Sequence, residues 1–328
     1  MKYMAIEDDR KGALKKLKLL AYNSKSNVET FRTKLNNAFF TPFLPNGVER
    51  TEHKYGNVEC DILSPEIFSS NRIMIYIHGG CFTGGSRAAY RGFCSSIAYK
   101  CYSKVILPEY RLAPAHPYPA AIEDIQSVFR AIFAEGQINN DKIPEIIIAA
   151  DGSGASIASA LIFRLTDKYR ACIKQIVFFS PWLNISDSSR IISSKKMSDE
   201  IISSDVLRKS SSDYTFAGNA NIPEVSPVMA DDQLLQNFPP VFIQMGAKEI
   251  LLEDATNFTD RMNSLGNTCQ LDVWPNMMHM FQLADEYLHE SHLALDKVGK
   301  IVTKDDAGSK TIQINNSPKL EQSLKSEA

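Results

Sequence analysis

Six short apolar runs, Ile73 to Ile77, Lys104 to Leu107, Glu145 to Ala149, Gln175 to Phe179, Val241 to Met245 and Leu271 to Trp274, recur along the chain, separated by stretches of helical character. Each is too short for a buried helix, and their Val, Ile and Phe content is continuous where a half-exposed strand would alternate. A parallel sheet buried on both faces requires this pattern, because its crossover helices cover both sides. The fold class expected is α/β, a mostly parallel central sheet flanked by helices.

The flanks of that core read differently. Residues 11 to 40 carry apolar positions at helical spacing (Leu14, Leu17, Leu20, then Val28, Phe31, Leu35, Phe39) among lysines and asparagines, which predicts amphipathic helices that must lie on something. From Val48 the pattern alternates, predicting strands at Glu49 to Lys54 and Val58 to Leu63 joined by a Gly56-Asn57 turn. Between Ser180 and Pro227 the rhythm breaks into a Ser-rich insertion with a helix near Asp199 to Phe216. The division expected is an α/β domain over 48–302 with a cap insertion at about 182–222, an N-terminal helical cap segment over 1–47, and a polar, disordered tail over 303–328.

Charge and cysteine content exclude several classes. With 36 Lys+Arg against 38 Asp+Glu, the chain has no broad positive field for phosphate backbones or anionic lipid, so nucleic acid is not an expected partner. No apolar stretch approaches the ~20 residues that span a bilayer. Acids and lysines occupy the N-terminal segment where a signal peptide needs an apolar region, so the expected location is cytoplasmic. The six cysteines lack the paired spacing of a zinc site or a disulfide framework and read as buried thiols.

In such a sheet ligands bind at the carboxyl ends of the strands, so the loops after the runs are where chemistry is sought. His78-Gly79-Gly80-Cys81-Phe82 follows the first run, and its glycines can turn backbone N–H groups toward one point. For a Gly-Gly pair alone, a tight turn is the better reading. The stretch Tyr110 to Asp124, YRLAPAHPYPAAIED, reads as structural: its prolines fix the chain before a helix near Ala120, Arg111 can pair with Asp124, and His116 reads as packed. Neither glycine cluster spells a P-loop or a dinucleotide fingerprint, so phosphate binding has little support.

Taken in order, HGGCF, YRLAPAHPYPAAIED, SPW at Ser180, PPVFIQMGAKEILLED from Pro239 and WPNMMHMF from Trp274 resemble the hormone-sensitive-lipase-like family of α/β-hydrolases over roughly residues 48 to 300. The resemblance implies the α/β-hydrolase fold with a helical cap, and carboxylic-ester hydrolysis by a Ser, Asp or Glu, His triad in that chain order without a cofactor or metal. It implies Glu249 as the acid and His279 as the general base, and Gly79, Gly80 and Cys81 as an oxyanion loop, Cys81 standing where a third glycine is usual.

The expected nucleophile is absent. The family's G-x-S-x-G elbow aligns without a gap on Ala150-Asp151-Gly152-Ser153-Gly154, which puts Gly152 at the nucleophile position and makes Ser153 the residue whose amide completes the oxyanion hole. Placing Ser153 at the tip needs a one-residue bulge and loses both flanking glycines. Two functions follow as expectations. One is an ester hydrolase using Ser153 as a displaced nucleophile with His279 and Glu249, taking a small apolar ester. The other is a pseudo-hydrolase that serves as a small-molecule binding or interaction protein.

Overall fold

The computed structural model describes residues 2–22, 26–41, 43–44, 47–69, 71–138, 144–186, 189–193, 197–304 and 312–314. Each apolar run lies in a strand: β1 Val48–Tyr55, β2 Val58–Pro65, β3 Ile67–Ser69, β4 Arg72–Ile77, β5 Lys104–Pro108, β6 Glu145–Asp151, β7 Ile173–Phe179, β8 Val241–Gly246, β9 Cys269–Trp274 and β10 Ile312–Ile314. Eight of them form one sheet in the order β1-β2-β5-β4-β6-β7-β8-β9. The β1–β2 and β2–β5 pairs are antiparallel and the rest parallel. Every residue of β8 is buried, and β4 and β6 are nearly so, which is why those runs do not alternate; β1, at the sheet edge, shows mostly exposed positions.

The helices are α1 Lys2–Leu17, α2 Val28–Phe39, α3 Arg87–Cys101, α4 Ala120–Ile138, α5 Gly154–Arg164, the single turns α6 Asp167–Arg170 and α7 Arg190–Ser193, α8 Ser204–Tyr214, the single turn α9 Asp232–Leu235, α10 Leu252–Ser264 and α11 His289–Val302. Helix α3 packs on β2, β5 and α11, α5 on β4 and β6, and α10 on β8 and β9. Helix α2 starts where the Asn27 side chain accepts from the Thr30 amide at 2.7 Å, and it buries Phe31, Leu35 and Phe39. Its Arg32 donates to the carbonyl oxygens of Thr83 (2.8 Å) and Ala113 (3.1 Å), which ties this N-terminal helix to the glycine loop.

Three expectations need adjustment. The insertion helix begins at Ser204 instead of near Asp199, because the Asp199 Oδ1 accepts from the Ile201 and Ile202 amides (2.7 and 2.8 Å) and so holds a turn, leaving Ser203 to cap the helix. The expected disordered tail contains a strand: Ile312–Ile314 pairs antiparallel with Ile67–Ser69, a short segment whose free edge can accept a partner; residues 305–311 and 315–328 lie outside the described residues. His116 is exposed rather than packed, while Arg111 does pair with Asp124 in a bidentate contact of 2.8 and 3.0 Å. Among the described residues no helix is long and apolar enough to cross a membrane.

Gly154 shows how tightly α5 is seated. A Cβ there would stand 2.2 Å from the Ile77 carbonyl oxygen and 2.6 Å from that of His78, both backbone atoms that cannot rotate away. Gly154→Ala should therefore cost about 1–3 kcal/mol, the range for overpacking a filled site. Urea denaturation of the two proteins checks it, and an unchanged midpoint would mean that α5 does not rest on β4.

Candidate active site

Strand β6 ends at Asp151 and α5 begins at Gly154, so the chain reverses over Gly152 and Ser153 alone. Gly152 takes the tip, at φ +46°, the left-handed region that a side-chain-bearing residue enters only with strain. Its amide donates to the Phe179 carbonyl (3.1 Å) and its carbonyl accepts from the Trp182 amide (2.9 Å), so the turn is pinned to β7 and the loop after it. Ser153 already has helical backbone angles (φ −67°, ψ −24°). Its buried hydroxyl oxygen accepts from the Phe82 amide at 3.0 Å and makes no hydrogen bond to His279.

Glu249 and His279, the expected acid and base, come together. Glu249 follows β8, and its Oε2 lies 2.9 Å from His279 Nδ1. Its Oε1 accepts from the Ser180 hydroxyl at 2.8 Å and from the Gly246 amide at 2.5 Å, while the Ser180 oxygen accepts from the Met280 amide at 3.0 Å. The carboxylate is thus fixed from β7, β8 and the histidine loop at once. Burial disfavours the charged imidazole, but the Glu249 hydrogen bond and charge, helped by Asp199 and Asp151, outweigh it and raise His279 above its ordinary 6.5. With Nδ1 on Glu249, His279 Nε2 has no partner among the described residues and is the nitrogen left for the cavity that this ring lines. Asp254, five residues on, lies on α10, with burial raising its carboxyl to about 6.

The glycine loop is only partly available as an oxyanion site. The Gly79 amide donates to Asp151 Oδ1 at 2.8 Å, which removes it from the set of donors expected there. The amides of Gly80, Cys81 and Ser153 have no acceptor among the described residues, and all three residues line the same cavity as Gly152 and His279. Gly80, Cys81 and Phe82 stand consecutively at φ +109°, +58° and +61°. That run of positive φ is how successive N–H groups come to face one way. The Cys81 thiol, raised by burial, keeps its proton and donates to the Leu20 carbonyl at 3.5 Å. His78 is buried and stacked between Tyr90 and Tyr110, with burial lowering its pKa, so it is a neutral packing residue under the loop.

Sequence reasoning did not assign Ser180, Asp199, Tyr76 or Tyr90. Ser180 sits in the SPW motif already noted, at φ +44° after β7, and its role beneath Glu249 follows only once β7 and β8 are adjacent. Asp199, from the insertion, accepts the Ile250 amide at 3.1 Å and so braces the acid loop. Tyr76 and Tyr90 donate to the two oxygens of Asp151, each at 2.9 Å. The cavity that Gly152 and His279 line is also lined by Leu20, Trp182, Ile202, Leu207 and Leu251. Among the described residues no group of His, Cys, Asp and Glu is arranged to hold a metal.

Comparison with known proteins agrees with this fold. A family model described as alpha/beta hydrolase fold matches residues 74–283. An esterase of Acinetobacter venetianus is 30% identical over 239 residues, covering 73% of this chain and 77% of the relative. An acetyl-hydrolase of Streptomyces hygroscopicus is 26% identical over 228 residues, 70% of this chain and 74% of that one. The crystal structure of an esterase from the bacterial hormone-sensitive lipase family superposes with a TM-score of 0.80 at 24% identity, over 90% of this chain and 98% of the other. The chain therefore belongs to the α/β-hydrolase family.

Asp151 supplies a pH test. Burial raises its carboxyl from 3.8 to about 6, against the opposing hydrogen bonds of Tyr76, Gly79 and Tyr90. Because the folded-state pKa is the higher one, the stabilisation it gives is complete below 3.8 and is lost as pH rises through about 6. Asp151→Asn removes that titration, so the stability of the variant relative to the natural chain should increase between about pH 4 and 7. Urea unfolding across that range checks it; a constant difference would assign the titration elsewhere.

Proposed function

We propose that this chain is an ester-binding member of its family: it takes a small carboxylic ester into the His279 cavity, holds the carbonyl oxygen on the Gly80, Cys81 and Ser153 amides, and lacks the acyl-serine step. The observation that carries this reading is Gly152 at the tip of the turn, φ +46°, beside a Glu249–His279 pair held at 2.9 Å. Everything around the nucleophile position supports acyl chemistry, and the position itself has no hydroxyl. The apolar wall of Leu20, Ile202, Leu207 and Leu251 favours an apolar acyl group. The names of the relatives, an esterase and an acetyl-hydrolase, point the same way.

Ser153 is the weaker candidate for the nucleophile. To reach His279 it would give up the hydrogen bond from the Phe82 amide and leave that buried donor unpaired, at about 1–3 kcal/mol. A serine at 152 meets no such obstacle, since a Cβ built there has nothing within 4 Å.

Gly152→Ser should therefore raise p-nitrophenyl acetate hydrolysis by orders of magnitude, since loss of the serine in a serine protease lowers the rate constant by about 10⁶. The variant, unlike the natural chain, should be labelled by a fluorophosphonate at residue 152. Its activity should rise with pH as His279, held above 6.5 by the Glu249, Asp199 and Asp151 carboxylates, loses its proton. A folded Gly152→Ser protein without activity would overturn the assignment of this site, and a fluorophosphonate adduct on Ser153 of the natural chain would make that residue the nucleophile.

A further inference from the structure

The missing hydroxyl leaves a histidine, a set of free amides and an open space at Gly152 along one cavity. A Cβ at Gly152 meets no atom within 4 Å, and Gly152 and His279 line one cavity. His279 cannot swing idly in that cavity, because Nδ1 is fixed on a carboxylate that itself accepts from Ser180 and Gly246. The two protein groups that could compete as nucleophiles are engaged: the Ser153 oxygen accepts from the Phe82 amide, and the Cys81 thiol donates to the Leu20 carbonyl.

Resting on the ester-binding reading above, we infer that the site hydrolyses activated esters of short acids, such as aryl acetates, by direct attack of a water molecule positioned over Gly152, with no acyl-enzyme. His279 Nε2 takes one proton from the water as its oxygen bonds to the ester carbonyl carbon. The carbonyl π pair moves onto oxygen, where the Gly80, Cys81 and Ser153 amides receive the charge. When the tetrahedral intermediate collapses, the bond to the leaving oxygen breaks and His279 returns the proton to it, giving one carboxylic acid and one alcohol or phenol. A good leaving group is required because a hydroxide-like water does in one step what a covalent intermediate divides into two. The glycine is then a functional residue: any side chain at 152 occupies the water's place.

Four proteins test this with p-nitrophenyl acetate: the natural chain, His279→Ala, Gly152→Ala and Gly152→Ser. The expected result is hydrolysis by the natural chain above the solution rate, linear without an initial burst, unaffected by fluorophosphonate and without an acyl adduct in the intact mass. His279→Ala should lose about 10²-fold or more of that enzyme-dependent rate, the usual share of a general base. Gly152→Ala should lose it too, since its methyl fills the space without adding a nucleophile. Gly152→Ser carries the same backbone strain and serves as the folding control; it should be fast, show a burst and be inactivated by fluorophosphonate. A natural chain no faster than solution beside an active Gly152→Ser overturns the water route and leaves the ester-binding reading standing. A folded but inactive Gly152→Ser overturns both. A burst, an acyl adduct or fluorophosphonate inactivation in the natural chain overturns the water route in favour of a protein nucleophile.

Discussion

The carboxylate of Asp151 joins the parts from which the site is assembled. It stands at the end of β6, immediately before the turn, and accepts from the Gly79 amide in the loop after β4, from Tyr76 within β4 and from Tyr90 on α3. Removing a carboxylate from water costs several kcal/mol unless hydrogen bonds replace the lost hydration, so all three donors are held in place by the same demand. A Cβ on Gly79 would lie 2.3 Å from Asp151 Oδ2, which is why the loop approaches the turn only through a glycine. With Gly79 held down on Asp151, the chain climbs through the positive φ of Gly80, Cys81 and Phe82 along the cavity that Gly152 lines.

A second constraint is the adjacency of β7 and β8. Phe178 and Phe179 pair with Ile243 and Gln244, which brings Ser180 beside Gly246 and Glu249. The Ser180 hydroxyl donates to Glu249 and accepts from Met280, so one oxygen sets the distance between the acid loop and the histidine loop. The insertion contributes from the outside, through Asp199 on the Ile250 amide. The Glu249–His279 pair is thus held by four separate segments, and its 2.9 Å contact does not depend on a loop free to drift.

How much of this was legible in the sequence follows from what each feature depends on. The buried strands were readable because parallel-sheet burial imposes continuous apolar runs, a local property, and the eight strands of the large sheet fall where those runs and the β1–β2 alternation lie. Gly152 was placed at the tip by register alone, and its φ of +46° is the conformation that register requires. Ser180, Tyr76 and Tyr90 were not legible as site residues, since their roles arise from strand order and helix packing, which no window of sequence contains. The Gly79 amide was assigned to the oxyanion hole because a glycine loop shows where N–H groups can point but not which acceptor, here Asp151, claims one first. The insertion helix was misplaced at its start for a related reason: only the bonds of Asp199 to Ile201, Ile202 and Ile250 show that residue closing a turn ahead of the helix.

Loss of the hydroxyl relaxes one strain and leaves several costs in place. A residue with a side chain at φ +46° would bear about 1–3 kcal/mol that glycine does not. If stability alone had shaped the site, the costly remainder would be equally dispensable: a buried Glu249 side chain paired with a buried His279, and three loop amides without acceptors among the described residues. Unpaired donors at a cavity wall and a desolvated acid–base pair gain nothing for folding. They become favourable only when an acceptor with developing negative charge occupies the cavity, so their joint presence at 2.9 Å geometry argues for a carbonyl-bearing ligand in the place where the family holds its ester.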